Sequence, residues 1–172
     1  TDFCDYSETM LNPLNQLSPR ISASFSITEK LSFNSNIGRY LQLPAYTAMG
    51  YRESNALVNK NNLSYISCEH FVGGLEYAIG SNSKTTIEAF YKNYSGYPLL
   101  LSDSISLANL GSDFGVIGND RVSSISNGRS YGLEFLYQQK LYKGFYGVVA
   151  YTLVRSEFGD KNDKLISSAW DN

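Results

Sequence analysis

Side chains alternate along much of this chain. From Ile21 to Ile27 (ISASFSI), Ile21, Ala23, Phe25 and Ile27 fall on one side of an extended backbone and Ser22, Ser24 and Ser26 on the other. That two-residue period is the mark of a half-buried strand. Thr28 to Lys30 forms a short turn, and Leu31 to Leu43 resumes, with Leu31, Phe33, Ile37 and Leu41 opposite Ser32, Asn34, Asn36 and Gln42. Two such runs across a tight turn predict an antiparallel hairpin. The pattern returns over Cys68 to Ile79 and Thr85 to Tyr97, joined by Gly80 to Lys84, and again over Arg129 to Lys140 and Phe145 to Arg155, joined by Leu141 to Gly144. The last strand is apolar on both sides, so its two faces are not assigned by pattern. The chain thus predicts an all-β antiparallel meander of about six long strands, in hairpins over about 18–43, 68–97 and 129–156.

The connections are uneven. Turns within hairpins are short and carry Lys30, Lys84 and Lys143, whereas 44–67 and 98–128 are long, rich in Ser, Asn and Gly, and weakly periodic. Every long connection therefore lies at one end of the strands and every short one at the other. Alternation alone fits a β-sandwich equally well. One-sided long loops instead match a membrane barrel with short periplasmic turns and long extracellular loops. Strand length agrees: 12 or so residues at ~3.3 Å each, tilted by ~40°, cross about 30 Å, the thickness of a hydrocarbon core.

Composition sharpens this picture. The chain of 172 residues holds 14 Tyr, 9 Phe and 1 Trp, and aromatic residues reach 14% while charged residues reach only 17%. Ser and Asn supply the remaining polarity. Many Tyr fall near strand ends (Tyr40, Tyr77, Tyr94, Tyr97, Tyr131, Tyr142 and Tyr146), where a ring with a polar tip suits a lipid–water boundary. A net charge of −2 argues against a nucleic-acid partner, which would need clustered Lys and Arg. Mean hydropathy of −0.25 does not oppose a barrel, because lipophilicity confined to every second residue averages out. Gly144 to Val154, the longest near-apolar run, is about half the ~20 residues of a membrane helix. No basic segment followed by an apolar stretch opens the chain, so no signal peptide is expected in it. Two cysteines, Cys4 and Cys68, are too few for a disulfide scaffold; they are free thiols or one pair.

Candidate chemistry is sparse, and no catalytic residue, metal ligand or cofactor is expected. His70 is the single histidine and lacks a partner at ligand spacing. Glu76, Glu88 and Glu134 sit on polar faces of three strands; two carboxylates can serve a glycosidase, but in a barrel they line a hydrated lumen. Gly73, Gly74 and Gly132 lie inside strands without phosphate-loop context. Asn62-Leu63-Ser64 and Asn93-Tyr94-Ser95 match a glycosylation triplet that arises readily by chance.

Five segments in order carry a resemblance: Gly38 to Pro44 (GRYLQLP), Ile87 to Tyr97 (IEAFYKNYSGY), Ser106 to Phe114 (SLANLGSDF), Gly128 to Glu134 (GRSYGLE) and Tyr151 to Phe158 (YTLVRSEF), with Trp170-Asp171-Asn172 closing the chain. From about Leu17 onward the sequence resembles the barrel of TonB-dependent outer-membrane receptors, especially those of Bacteroidetes-type bacteria. The resemblance implies a fragment of a barrel of about 22 strands, located in the outer membrane of a Gram-negative bacterium. It implies lipid around the wall and an N-terminal plug domain of the parent chain. It also implies a TonB complex reached only through regions outside this chain. The implied function is active import of a scarce nutrient, non-catalytic, with this chain supplying wall and surface loops. Tyr46, Tyr51, Arg52 and Tyr65, in the first long loop, are the candidate ligand contacts, because aromatic and Arg side chains anchor binding sites. The alternative is a soluble secreted glycan-binding β-sandwich module. An isolated six-strand arc, with two open edges and a bare apolar face, is expected to self-associate.

Overall fold

The structure, a computed structural model, describes residues 6–110, 118–168 and 171. Cys4, the end of the Ser106–Phe114 segment, and Trp170 and Asn172 lie outside them. The alternating runs pair into strands β1 (Arg20–Ser26), β2 (Leu31–Gln42), β5 (Ile66–Ala78), β6 (Ser83–Leu100), β7 (Val122–Tyr142), β8 (Phe145–Gly159) and β9 (Leu165–Ser167). They form one sheet in the order β1-β2-β5-β6-β7-β8-β9, each neighbour antiparallel. The long loop between β2 and β5 holds helix α2 (Tyr46–Met49) and a ribbon of β3 (Arg52–Glu53) and β4 (Ala56–Leu57). Ahead of β1 come helix α1 (Glu8–Leu11) and a 3-10 turn over Pro13–Gln16. The meander has the predicted all-β antiparallel form, with β9 as a short seventh strand.

Register assigns the faces. Phe25 pairs with Phe33, Phe33 with Leu75, Leu75 with Ile87, Ile87 with Phe135, and Phe135 with Tyr151. This ladder crosses six strands on one face, and its members stay exposed, Phe25 by 67% and Tyr151 by 61%. The opposite face carries Ser24, Asn34, Gly74, Glu88, Glu134 and Thr152 on a single rung. The same register resolves β8: Val149, Tyr151 and Leu153 share the apolar face with Tyr137, Phe135 and Leu133. Pattern alone could not separate its faces because both are apolar.

Two expectations need correction. The pattern predicts a loop over 98–128, yet β6 and β7 continue to pair as far as Leu100 and Val122, through register shifts between Tyr94, Tyr97 and Leu99. Gly96, at φ +70, sits within this irregularity, and such a bulge re-aims the side chains beyond it. Below it the strand is open on both faces; above it Leu99, Leu100 and Val122 are buried. The period therefore breaks where pairing does not. Second, the tyrosines do not all face one way. Tyr77 and Tyr131 join the apolar face, together with Tyr91, whose ring stacks on Tyr131 at 6.3 Å. Tyr40 and Tyr94 fall on the polar face by strand parity, and Tyr97 packs against the loop core.

The buried core sits in the loops. Met10, Met49, Leu63, Leu100, Leu107 and Val122 cluster at the long-loop end, drawn from the segment before β1, from both long connections and from the paired upper ends of β6 and β7. At the other end the turns are minimal. Lys143 and Gly144 both have positive φ, 49° and 83°, between the paired Tyr142 and Phe145. That is the primed two-residue hairpin turn, in which Gly carries no steric cost.

Candidate functional site

Two surfaces can meet a ligand: the loop layer and the upper polar face of the sheet. The loop layer is pinned by Asn59, which is fully buried. Its Nδ2 donates to the carbonyls of Ala48 (2.9 Å) and Asp120 (2.8 Å), and its Oδ1 accepts from the Val122 amide (3.0 Å). One side chain thus ties the first long loop to the second through backbone groups that would otherwise be buried unpaired. Ser124 repeats the tie, its amide donating to the Asn62 carbonyl (2.8 Å) and its hydroxyl accepting from the Ser64 amide (3.0 Å). Ser7 donates to the Leu63 carbonyl at 2.8 Å, binding in the segment before β1.

An exposed ion pair closes the same junction. Arg121 meets Glu53 through both arms of its guanidinium, Nε to Oε1 at 2.9 Å and Nη2 to Oε2 at 2.5 Å. The guanidinium holds the Glu53 carboxyl below its ordinary range, chiefly by hydrogen bonding. Tyr51 donates its hydroxyl to Glu53 Oε1 at 3.5 Å. Partial burial, then the charges of Glu53 and Asp120, push that phenol above its ordinary value.

The four predicted residues separate. Tyr46 stands at the first turn of α2 and is 69% exposed. Tyr51 is half-buried and engaged with Glu53. Arg52 opens β3 and donates from Nη1 to the Asn55 carbonyl at 3.1 Å. Tyr65 packs against the loop core. Tyr51 and Tyr65 thus hold the loop together, and Tyr46 presents its side chain outward. Sequence reasoning missed Asn59, Glu53 and Arg121. Asn59 stands in Asn59-Lys60-Asn61-Asn62, which reads as an ordinary polar loop; only its partners distinguish it.

On the polar face, Glu76 is paired with Lys84 Nζ at 2.8 Å, while Glu88 and Glu134 sit directly opposite one another on β6 and β7. Like charges so placed are unfavourable unless hydrated, which suits a wet surface. His70 meets the Tyr40 ring edge-on at 5.8 Å. Among the described residues no group of three or more His, Cys, Asp or Glu is arranged to hold a metal, and no helix is long and apolar enough to cross a membrane.

Above the apolar stripe, on the same face, lies a charged rung: Arg39, Glu69, Asn93, Arg129 and Glu157. Glu157 accepts from Arg129 at 2.9 Å and from Arg155 at 3.1 Å. On β7 the stretch from Arg129 down to Gln139, at ~3.3 Å per residue and a tilt of ~40°, spans roughly 25 Å, the height of a barrel's lipid-facing band.

Comparison with curated proteins and with solved structures returns no match. The family model described as TonB dependent receptor-like, beta-barrel matches residues 3–170. With that match over nearly its whole length, on a meander whose one face is an apolar band and whose long connections share one end, the chain belongs to the TonB-dependent receptor-like β-barrel family.

Proposed function

We propose that this chain is wall and surface loop of an outer-membrane receptor that imports a scarce nutrient. The family acts in outer-membrane transport rather than catalysis. The observation that carries the reading for this chain is the exposed ladder from Phe25 to Tyr151, bounded above by the charged rung of Arg129 and Glu157. Such a band belongs against acyl chains, and the serine, asparagine and carboxylate face belongs against a hydrated lumen. The long-loop end then faces the cell exterior and the Lys143–Gly144 end the periplasm. Tyr46 is the residue of the four candidates best placed for a ligand; Arg52, in the same loop, is the second. The plug domain and the TonB complex are the partners this role calls for, through other regions of the receptor.

A β-sandwich reading needs a second sheet over the apolar ladder. The described residues supply only the β3–β4 ribbon, and it lies within the loop layer.

The test is cysteine labelling in intact cells. Tyr46→Cys and Asn82→Cys variants of the receptor, the second in the short turn between β5 and β6, are treated with a membrane-impermeant maleimide. Labelling at 46 and protection at 82 until the outer membrane is opened are expected. Equal labelling of both, or recovery of the protein outside the outer-membrane fraction, sinks the proposal.

A further inference from the structure

One rung of the polar face, close below the loop layer, carries two cations and a histidine without a carboxylate. Arg20 pairs with Gly38, Gly38 with His70, His70 with Lys92, and Lys92 with Ser130, so Arg20, His70 and Lys92 lie along a single line across the sheet. With strands ~4.8 Å apart, this line from Arg20 to Lys92 is about 14 Å long. Aromatic rings, not acids, hold the cations. The Arg20 guanidinium lies 4.2 Å from the centre of the Tyr40 ring, and His70 meets that same ring. Lys92 Nζ stands 5.2 Å from the Phe90 ring. Phe90 in turn lies over Gly132, where a Cβ would come within 2.9 Å of the ring. Gly38 leaves the space between Arg20 and His70 without a side chain, and a Cβ there would meet the Arg20 stem at 2.9 Å. The nearest carboxylates on this face, Glu88 and Glu134, are two rungs lower, roughly 13 Å along the strands, and of the two Glu134 acts on His70 through its charge. The ion pairs of Glu53, Glu76 and Glu157 go to other partners, Arg121, Lys84, and Arg129 with Arg155.

Two cations backed by rings, Arg20 and Lys92, flank an imidazole that can donate a hydrogen bond, with no carboxylate on their own rung, and such a line attracts negative charge. We propose that Arg20, His70 and Lys92 form a binding subsite for a polyanionic nutrient, a compound bearing several carboxylate or phosphate groups. Tyr40 and Phe90 supply flat apolar surface beside those charges. The inference rests on the transport reading, because it needs this face to line the lumen. It places the subsite one step inward from the loop layer, on the route of a ligand entering from outside. Neutral sugars have no complementary charge to gain there.

The experiment uses the complete receptor purified from outer membranes in detergent, titrated calorimetrically with citrate, with inositol hexakisphosphate and with neutral maltohexaose. At least one polyanion is expected to bind, more weakly as salt rises. Affinity should fall about tenfold or more in an Arg20→Gln/Lys92→Gln double variant and be retained in Lys92→Arg, which keeps the charge and controls for folding. The proposal is overturned if neither polyanion binds, or if binding is the same in the double variant. It is overturned too if only the thermal transition of the double variant moves, since the rung then holds a carboxylate of the plug. A receptor found in the outer membrane with correct labelling at Tyr46→Cys, yet indifferent to polyanions, removes this inference alone; a receptor that fails those localisation tests removes the transport reading first.

Discussion

Asn59 shows how much one loop side chain can hold. Its amide fills three backbone positions in two different loops, all at a buried site. In Asn59→Ala the Val122 amide and the Ala48 and Asp120 carbonyls lose their partner at once. A loss of about 1–3 kcal/mol is expected, read as faster hydrogen exchange at the Val122 amide with the strand amides below Tyr94 unaffected. Glu53 acts at the same junction but through charge. Its folded carboxyl is held below the ordinary value of ~4.3, so its contribution is fully present above that value and is lost as pH falls through the depressed one. The two loops should therefore become more accessible to an acid-stable protease only below the ordinary Glu range, and Glu53→Gln should remove that pH dependence. Neither residue was legible in the sequence, because a loop polar side chain becomes a pin only when two distant segments converge on it.

The strands were legible as elements, since a half-exposed sheet imposes a strict two-residue period and the turns carry Gly, Asn and Lys. Depth along a strand is a further property that parity alone does not give. The Phe33–Leu75–Ile87–Phe135 rung lies near the middle of the apolar band, and Tyr137 lies one rung closer to the turns. Phe33→Arg and Phe135→Arg should each cost about 2–4 kcal/mol when folding into a bilayer is measured, while Tyr137→Arg should cost less, towards 0–1 kcal/mol near the interface. Equal penalties at the two depths, persisting in detergent-free water, would be those of a sandwich core. Gly128 marks another element-level constraint. The Phe158 ring occupies the place of its absent Cβ, so Gly128→Val should destabilise the β7–β8 pairing by about 1–3 kcal/mol, seen as a lower unfolding temperature in micelles.

At the scale of the molecule, among the described residues the sheet is open: β1 and β9 each pair on one side only, and the members of the apolar ladder stay exposed. Residues 1–172 expressed alone and refolded without detergent should associate through edge or face, and light scattering should show oligomers; a monodisperse monomer would refute this. The sequence by itself determined the strand class, the hairpin order, the one-sided placement of long loops and the apolar stripe, because alternation and turn chemistry are local and each is written within a dozen residues. It left the faces of β8 open, set the ends of β6 and β7 too short, and gave no sign that the buried core lies among the loops. Those features were decided by tertiary structure. Register with β7 orients β8, a bulge at Gly96 re-aims the strand above it, and residues as distant as Met10, Met49 and Val122 become one core only after the meander has brought its long-loop end together.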